Sequence, residues 1–238
     1  MSAQELIAQL DRIRQPSRSY RAEVAVIEFR QGKREREGTF QLYARKVPAG
    51  FDVLARCLNP AADRNKLFLA TGGELWFYDP RSARPLPISP NQFRSHQLIL
   101  ELLSEPIASQ YSGELEAEQP VADLSRRQVR ALRLALRSRK SRSGTAAARY
   151  WLTPDDYRPI KSEILSTGGR SIRTVYYSEF KKVLGEERPT RLVLLNPAES
   201  SVVELKFSDY AQFDAPGAVF DEDRLPNATN LLAQISGD

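Results

Sequence analysis

The residues that could do chemistry in this sequence are few. It has one histidine, His96, and one cysteine, Cys57, and paired acids occur at 155–156 and 186–187. Neighbouring residues of a strand point to opposite faces, and turns expose their side chains, so we expect these acids to be solvated turn residues rather than an acid and base pair. One cysteine excludes an intramolecular disulfide, and a lone histidine argues against a zinc site.

Motifs for nucleophiles, zinc hydrolysis or phosphate binding are absent: the sequence has no GxSxG, HExxH, GxxxxGK[ST] or GxGxxG. Cys57 occupies one of the apolar positions in a run where apolar and other residues alternate. At such a position we expect a buried, small hydrophobic side chain. We therefore predict that the protein is not an enzyme and binds no cofactor or metal. A turnover that depends on His96 would overturn this prediction.

Composition and charge indicate a folded globular chain. Of the 238 residues, 41% are hydrophobic and 27% are charged, and the net charge is +5. Arginines are concentrated between Arg126 and Arg149, where they alternate with apolar residues as on a strand with one solvated face. No aromatic platform accompanies them, so nucleic acid is not an expected partner. No stretch approaches the ~20 apolar residues of a membrane span, which leaves only a peripheral membrane encounter.

Periodicity predicts a mainly β fold with few helices. The spacing of apolar residues predicts a helix at 3–14, which begins after Ser2 and ends before Pro16. The period then becomes two, with about ten or eleven strands between 17 and 211, and short turns favour antiparallel pairing. A second helix is predicted at 97–104 and a terminal helix or loop at 221–235. We predict a single domain over 1–238.

One face of this sheet would carry so many apolar and aromatic side chains that it must be shielded from water. Helices could cover it as a filled core, or it could enclose a hollow that holds a ligand, and periodicity does not separate the two. If the hollow exists, glutamate at Leu69 or Leu134 should abolish ligand uptake while the fold survives. The residues predicted to line the hollow are Val24, Val26, Phe51, Val53, Leu67, Leu69, Trp76, Tyr78, Leu102, Leu132, Leu134, Leu136, Ile164 and Tyr176.

Several blocks of sequence resemble one known family. The most specific is LWFYDP at 75–80, preceded by SYRAE at 19–23 and GTF at 38–40, and followed by weaker similarity at 157–163 and 220–221. This pattern is similar to that of the LolA/LolB-like outer-membrane lipoprotein-sorting proteins, in particular the wider sorting-protein-like branch of that superfamily. The resemblance covers most of the chain.

The resemblance implies an incomplete antiparallel β-barrel closed by short helices. It also implies a Gram-negative periplasmic protein without its signal peptide, although the residues themselves allow either the cytoplasm or a mature secreted form. By resemblance the protein is a monomeric carrier that binds lipid or lipoprotein acyl chains without catalysis. Its partners would be an inner-membrane transporter and an outer-membrane acceptor.

In that family an early arginine latches the helical lid to the strands. Arg45 is the nearest candidate here, although the following Lys46-Val47-Pro48 departs from the usual Arg/Lys-Pro order. Folds of this kind also serve as sensors or adaptors that bind a protein partner. In that alternative, the arginine-rich stretch 126–149 would be the contact surface.

Overall fold

The computed structural model describes residues 1–82, 84–88, 106–142 and 145–236. The helix expected at 97–104 lies outside these ranges, as do Leu102 and His96. Within them the helices are α1 (Ala3–Arg14), α2 (Ile107–Gln110) and α3 (Leu225–Ser236), with short 3-10 segments at Ala61–Asp63, Pro197–Glu199, Gly217–Phe220 and Glu222–Arg224. The strands are β1 (Tyr20–Arg30), β2 (Lys33–Val47), β3 (Gly50–Asn59), β4 (Leu67–Thr71), β5 (Glu74–Tyr78), β6 (Leu86–Pro87), β7 (Tyr111–Ala122), β8 (Gln128–Arg142), β9 (Thr145–Leu152), β10 (Pro159–Ser166), β11 (Ser171–Val183), β12 (Glu186–Asn196) and β13 (Ser201–Gln212).

The described strands form one sheet in the order β6-β5-β4-β3-β2-β1-β13-β12-β11-β10-β9-β8-β7. Because β6 and β7 stand at its two ends, the sheet is open rather than closed into a barrel. This confirms the mainly β, antiparallel and incompletely closed fold. The described ranges hold 13 strands, more than the expected ten or eleven. The two-residue β6 lies in a proline-rich segment without alternation, which gives no strand signal.

The chain divides into two compact units, and each is described by itself. The first unit comprises Met1–Gln15, Ile27–Arg36 and Pro106–Lys206, and the second comprises Pro16–Val26, Glu37–Glu105 and Phe207–Asp238. The single domain expected from the sequence stays a prediction.

In the first unit, α1 occupies the range that the sequence predicts. Ser2 and Glu5 form a capping box: the Ser2 side chain accepts from the Glu5 N–H, and the Glu5 carboxylate accepts from the Ser2 N–H. The Asp11 carboxylate accepts the N–H groups of Ile107 and Ala108, at 2.7 and 3.0 Å, and so positions α2 beside α1. The four buried residues of α1 are Leu6, Ile7, Leu10 and Ile13.

In the second unit, α3 and the 3-10 segment before it pack on β2–β4. Leu225, Ala228 and Leu232 fall at helical spacing and are buried, so this helix presents one apolar stripe to the sheet. The terminal segment at 221–235, for which the sequence predicts a helix or a loop, is thus helical from 225 onwards.

Candidate ligand-binding site

The register of β2–β5 brings six apolar side chains of the second unit to one face of the sheet. Tyr43 is opposite Leu54, Leu54 is opposite Leu69, and Leu69 is opposite Trp76. Facing partners share a side of the sheet, and so do residues two apart on a strand. We call this set the covered face; its members are Tyr43, Leu54, Leu67, Leu69, Trp76 and Tyr78.

The C-terminal segment packs on the covered face. Leu54, Leu67 and Leu69 are 0% exposed, whereas Trp76 and Tyr78 are half-buried and pack against the same cluster. Here the apolar residues form a filled core in which a helix lies on the strands. The covering residues are Val219, Phe220, Leu225, Ala228 and Leu232.

The predicted lining residues of this unit do not share one face, which corrects the sequence-based expectation. Val53 is opposite Ala70 of β4, on the side away from Leu67 and Leu69. Phe51 lies on the side of Val53, and its ring contacts that of Tyr20 on β1, at 5.9 Å between centroids.

The other two predicted residues of the unit lie on β1. Val24 and Val26 alternate with half-buried neighbours and follow Tyr20 by four and six positions, so they belong to the side of Phe51. Because β3 carries apolar residues at both odd and even positions, its sequence does not reveal which residues face which side of the sheet.

Arg45 connects β2 to the segment that leads into α3. Its Nε and Nη2 donate to Asp52 Oδ2 at 3.1 and 2.6 Å, and the Thr71 hydroxyl donates to Asp52 Oδ1 at 3.1 Å. On its other side, Arg45 Nη1 lies 3.5 Å from the Gly217 carbonyl oxygen, and its Cζ lies 4.7 Å above the Phe220 ring. Asp52, which the sequence did not single out, holds the guanidinium in this position.

The covered side of the sheet also holds two buried donors without acceptors. The indole Nε1 of Trp76 and the Nε of Arg56 are buried, and neither has a hydrogen-bond partner. Arg56 is opposite Leu67, on the same side as Trp76. Sequence reasoning identified Trp76 but missed Arg56, because an arginine in a strand ordinarily marks the solvated side.

In the first unit, the strand register shows on which side of the sheet the remaining predicted lining residues lie. Leu134 is opposite Tyr150, and Leu136 is opposite Ala148, which is in turn opposite Ile164. Leu132, Leu134, Leu136 and Ile164 therefore share one side of the sheet.

Tyr176 lies on the other side, which corrects its place in the predicted lining. It is opposite Lys161, whose Nζ lies 5.9 Å above the Tyr176 ring and 4.8 Å above the Trp151 ring. The Lys161 ammonium thus lies between two aromatic rings on the side of Trp151, away from Leu134.

A buried polar group lies on the Leu134 side of the first unit. The hydroxyls of Ser162 and Tyr177 are 3.0 Å apart, and Arg14 of α1 lies in the same surroundings. Burial, and then the neighbouring Tyr150, hold the pKa of Tyr177 well above its usual value. Tyr177 is therefore a neutral hydrogen-bonding group and not a base.

The residues that could do chemistry are engaged elsewhere. Glu186 pairs with Arg188 at 2.9 Å, and Glu187 pairs with Arg158 at 3.1 Å, so this acid pair serves two separate ion pairs. Burial raises the pKa of the Cys57 thiol to about 11, which makes it a poor nucleophile. The described residues contain no group of three or more metal-ligating side chains. None of the helices in these ranges combines the length and apolar composition of a bilayer span.

Solved structures with the same fold cover almost the entire chain. A LolA superfamily protein from Nitrosomonas europaea is 24% identical, with a TM-score of 0.77 over 94% of this chain and 99% of its own. A putative outer membrane lipoprotein-sorting protein domain from Vibrio parahaemolyticus is 20% identical, with a TM-score of 0.77 and the same coverage. A DUF1329 family protein from Desulfovibrio piger is 17% identical, with a TM-score of 0.78 over 94% of this chain and 97% of its own.

Sequence comparisons give the family. No curated protein matches the chain. A family model whose description is "uncharacterized protein" matches residues 52–227, which is most of the sequence. The chain belongs to that family, and its fold is that of the LolA-like lipoprotein-sorting proteins.

Proposed function

We propose that this protein is a non-enzymatic carrier that binds the acyl chain of a lipid or lipoprotein. The observation that carries the proposal is the covered face, an apolar sheet surface shielded by one terminal helix. Because α3 follows β13 and is not part of the strand order, it can leave the sheet without breaking any strand pairing. The surface of Leu54, Leu67 and Leu69 would then be free for another apolar occupant.

An acyl chain fits the chemistry of this surface. Each methylene that it buries contributes about 0.8 kcal/mol, so a chain of ordinary lipid length can replace the contacts of Leu225, Ala228 and Leu232. Trp76 and Tyr78 at the border offer half-buried rings for the part of the ligand that stays near water. For the first unit, Leu132, Leu134, Leu136 and Ile164 stay predicted lining residues.

The cellular location and the binding partners follow from the same proposal. A structural neighbour described as an outer membrane lipoprotein-sorting domain supports a periplasmic site of action. The carrier would act there as a monomer in its mature form, without a signal peptide. It would receive its cargo from an inner-membrane transporter, release it to an outer-membrane acceptor, and meet membranes only peripherally.

Arg45 is the proposed latch of this carrier. By holding the Gly217 carbonyl and the Phe220 ring, it fixes the start of the C-terminal cover on β2. Opening would require the guanidinium to leave these contacts while its pair with Asp52 persists.

Mild purification followed by native mass spectrometry tests the carrier function. We expect co-purified acyl species, and after delipidation we expect saturable uptake of a fluorescent fatty-acyl probe. Leu115→Gln, at an exposed position of β7, serves as a control that should bind the probe like the wild type. A protein that arrives without lipid and takes up no acyl probe would refute the carrier.

The adaptor alternative has less support. The arginines proposed as its contact surface form ion pairs across β7 and β8: Arg130 with Glu118, Arg133 with Glu116, and Arg137 with Glu114. These glutamates offset much of the positive charge that would attract an acidic partner. We therefore do not propose this second function.

A further inference from the structure

We propose that Trp76 and Arg56 form a head-group site, and that the acyl lipids bound by this protein carry an anionic oxygen acceptor, a carboxylate or a phosphate. The proposal rests on the carrier function and specifies its ligand. It starts from the two buried donors of the second unit, Trp76 Nε1 and Arg56 Nε, which have no acceptor in the protein.

Buried donors without acceptors are rare, because an unmade hydrogen bond costs the full desolvation of the donor. Two of them on the same side of β3–β5 indicate a place where an acceptor binds from outside the chain. The pairing Arg56–Leu67 and Leu69–Trp76 places them two strands and two residues apart. From strand spacing and rise, their Cα atoms are about 12 Å apart, within reach of one head group between the two long side chains.

The charge of Arg56 selects the class of acceptor. A guanidinium in a partly buried place binds an anionic oxygen more strongly than a neutral carbonyl. Asp52, four residues along β3 on the same side, does not neutralise it, because both of its carboxylate oxygens already accept from Arg45 or Thr71. The indole N–H of Trp76, on the same side of the sheet, adds a second, uncharged donor.

The acyl chain has a path from this site. Leu67 and Leu69 lie on β4 between the two donors, and they are the residues on which α3 packs. A head group at Trp76 and Arg56 therefore starts its chain on the covered face, where it would take the place of α3.

The two tryptophans of the chain, Trp76 and Trp151, allow a localised test. In the Trp151→Phe protein, Trp76 is the sole indole, and we expect α-bromopalmitate, which carries its bromine beside the carboxylate, to quench its fluorescence. In the Trp76→Phe protein the remaining Trp151 should not be quenched. Competition by palmitate and by phosphatidylglycerol then distinguishes a carboxylate from a phosphate head group.

Affinity measurements complete the test. We expect Trp76→Phe and Arg56→Met each to weaken palmitate binding about tenfold while binding of its methyl ester changes little. Arg170→Met, which removes an exposed arginine of the first unit, is the charge-matched control. Thermal unfolding of each variant shows that it is folded.

The outcomes separate the two proposals. Absence of any acyl binding by the wild type refutes the carrier and this site together. Binding that quenches Trp151 rather than Trp76, or that is unchanged in both Trp76→Phe and Arg56→Met, refutes the head-group site and leaves the carrier standing. Equal affinity for palmitate and its methyl ester in the wild type refutes the anionic class.

Discussion

Arg188 of β12 donates a hydrogen bond of 3.2 Å from its Nη1 to the carbonyl oxygen of Ile13, at the C-terminal end of α1. The same nitrogen also contacts the carbonyl of Arg12, and Nη2 pairs with Glu186. The last carbonyls of a helix lack partners within the helix and carry partial negative charge, so a buried guanidinium there both caps the helix and complements its dipole. α1 is thus fastened to the sheet of the first unit by a residue 2% exposed.

Removing this cap should loosen α1. We expect Arg188→Met to lower the free energy of unfolding by about 2 kcal/mol, because the buried carbonyls lose a charged donor. Hydrogen exchange should become faster along Ala3–Arg14. Arg170→Met, which removes an exposed arginine from the turn between β10 and β11, is the matched control and should change neither quantity. Unchanged exchange in Arg188→Met would show that apolar packing alone holds α1.

The latch makes a kinetic prediction. Arg45→Ala removes the contacts with Gly217 and Phe220, so we expect faster uptake of a fluorescent acyl probe, measured by stopped flow. Stability should fall by about 1–3 kcal/mol, because Asp52 would remain as a buried carboxylate without its cation. Arg64→Ala, an exposed arginine of the same unit, should leave the uptake rate unchanged. An unaltered rate in folded Arg45→Ala would remove Arg45 from the proposed mechanism.

The covered face predicts a large cost for truncation. Leu69 is 0% exposed beneath α3, so Leu69→Ala should lower the free energy of unfolding by about 2–5 kcal/mol in urea titrations. Leu115→Ala, at an exposed position, should change it by less than about 0.5 kcal/mol. Comparable effects of the two substitutions would mean that the core of the second unit is not packed as described.

The same burial corrects an expectation drawn from the sequence. The sequence predicts that glutamate at Leu69 or Leu134 blocks ligand uptake without harm to the fold. Both side chains are 0% exposed, and an unpaired carboxylate there would be forced into an apolar core. We now expect Leu69→Glu to unfold the second unit, as circular dichroism would detect.

The turn between β11 and β12 offers a stabilising substitution. Leu184 and Gly185 form a two-residue loop between the paired residues Val183 and Glu186, with φ values of +49° and +92°. Positive φ is costly for leucine, whereas asparagine tolerates it. Since Leu184 is exposed, we expect Leu184→Asn to raise the free energy of unfolding by about 1 kcal/mol in denaturant titrations. Leu115→Asn, exposed in a strand, should not stabilise; a similar gain there would contradict the turn-based reason.

The raised pKa of Cys57 predicts a pH dependence. Burial holds the pKa of this thiol at about 11, above its ordinary value of 9.0, so the folded protein retains the proton that the unfolded chain releases. Its contribution to stability is therefore complete below about pH 9 and is lost as the pH rises from about 9 to about 11. We expect the unfolding free energy of the wild type to fall more steeply in that window than that of Cys57→Ala. Parallel curves would show that Cys57 does not contribute.

The sequence by itself determined the local elements. Leu6, Ile7, Leu10 and Ile13 recur at helical spacing after a serine, and this is enough for α1 because capping and one apolar stripe are local properties. The Gly72-Gly73 turn with its flanking strands was equally readable, since only glycine takes positive φ without cost at two successive positions.

Tertiary structure decided which apolar residues share a face. Val53 and Leu54 are both apolar, and only their pairing with Ala70 and Leu69 of β4 assigns them to opposite sides, since register depends on strands that meet in space.

The same holds for the polar residues of the proposed site and its latch. Arg45 was singled out by resemblance, but its neighbours Asp52, Gly217 and Phe220 come from other parts of the chain. Arg56 carries no sequence signal at all, because its role depends on an acceptor missing from its folded surroundings. Spacing along the chain fixes helices and turns, whereas burial, pairing and unmet hydrogen bonds exist only once distant segments are packed together.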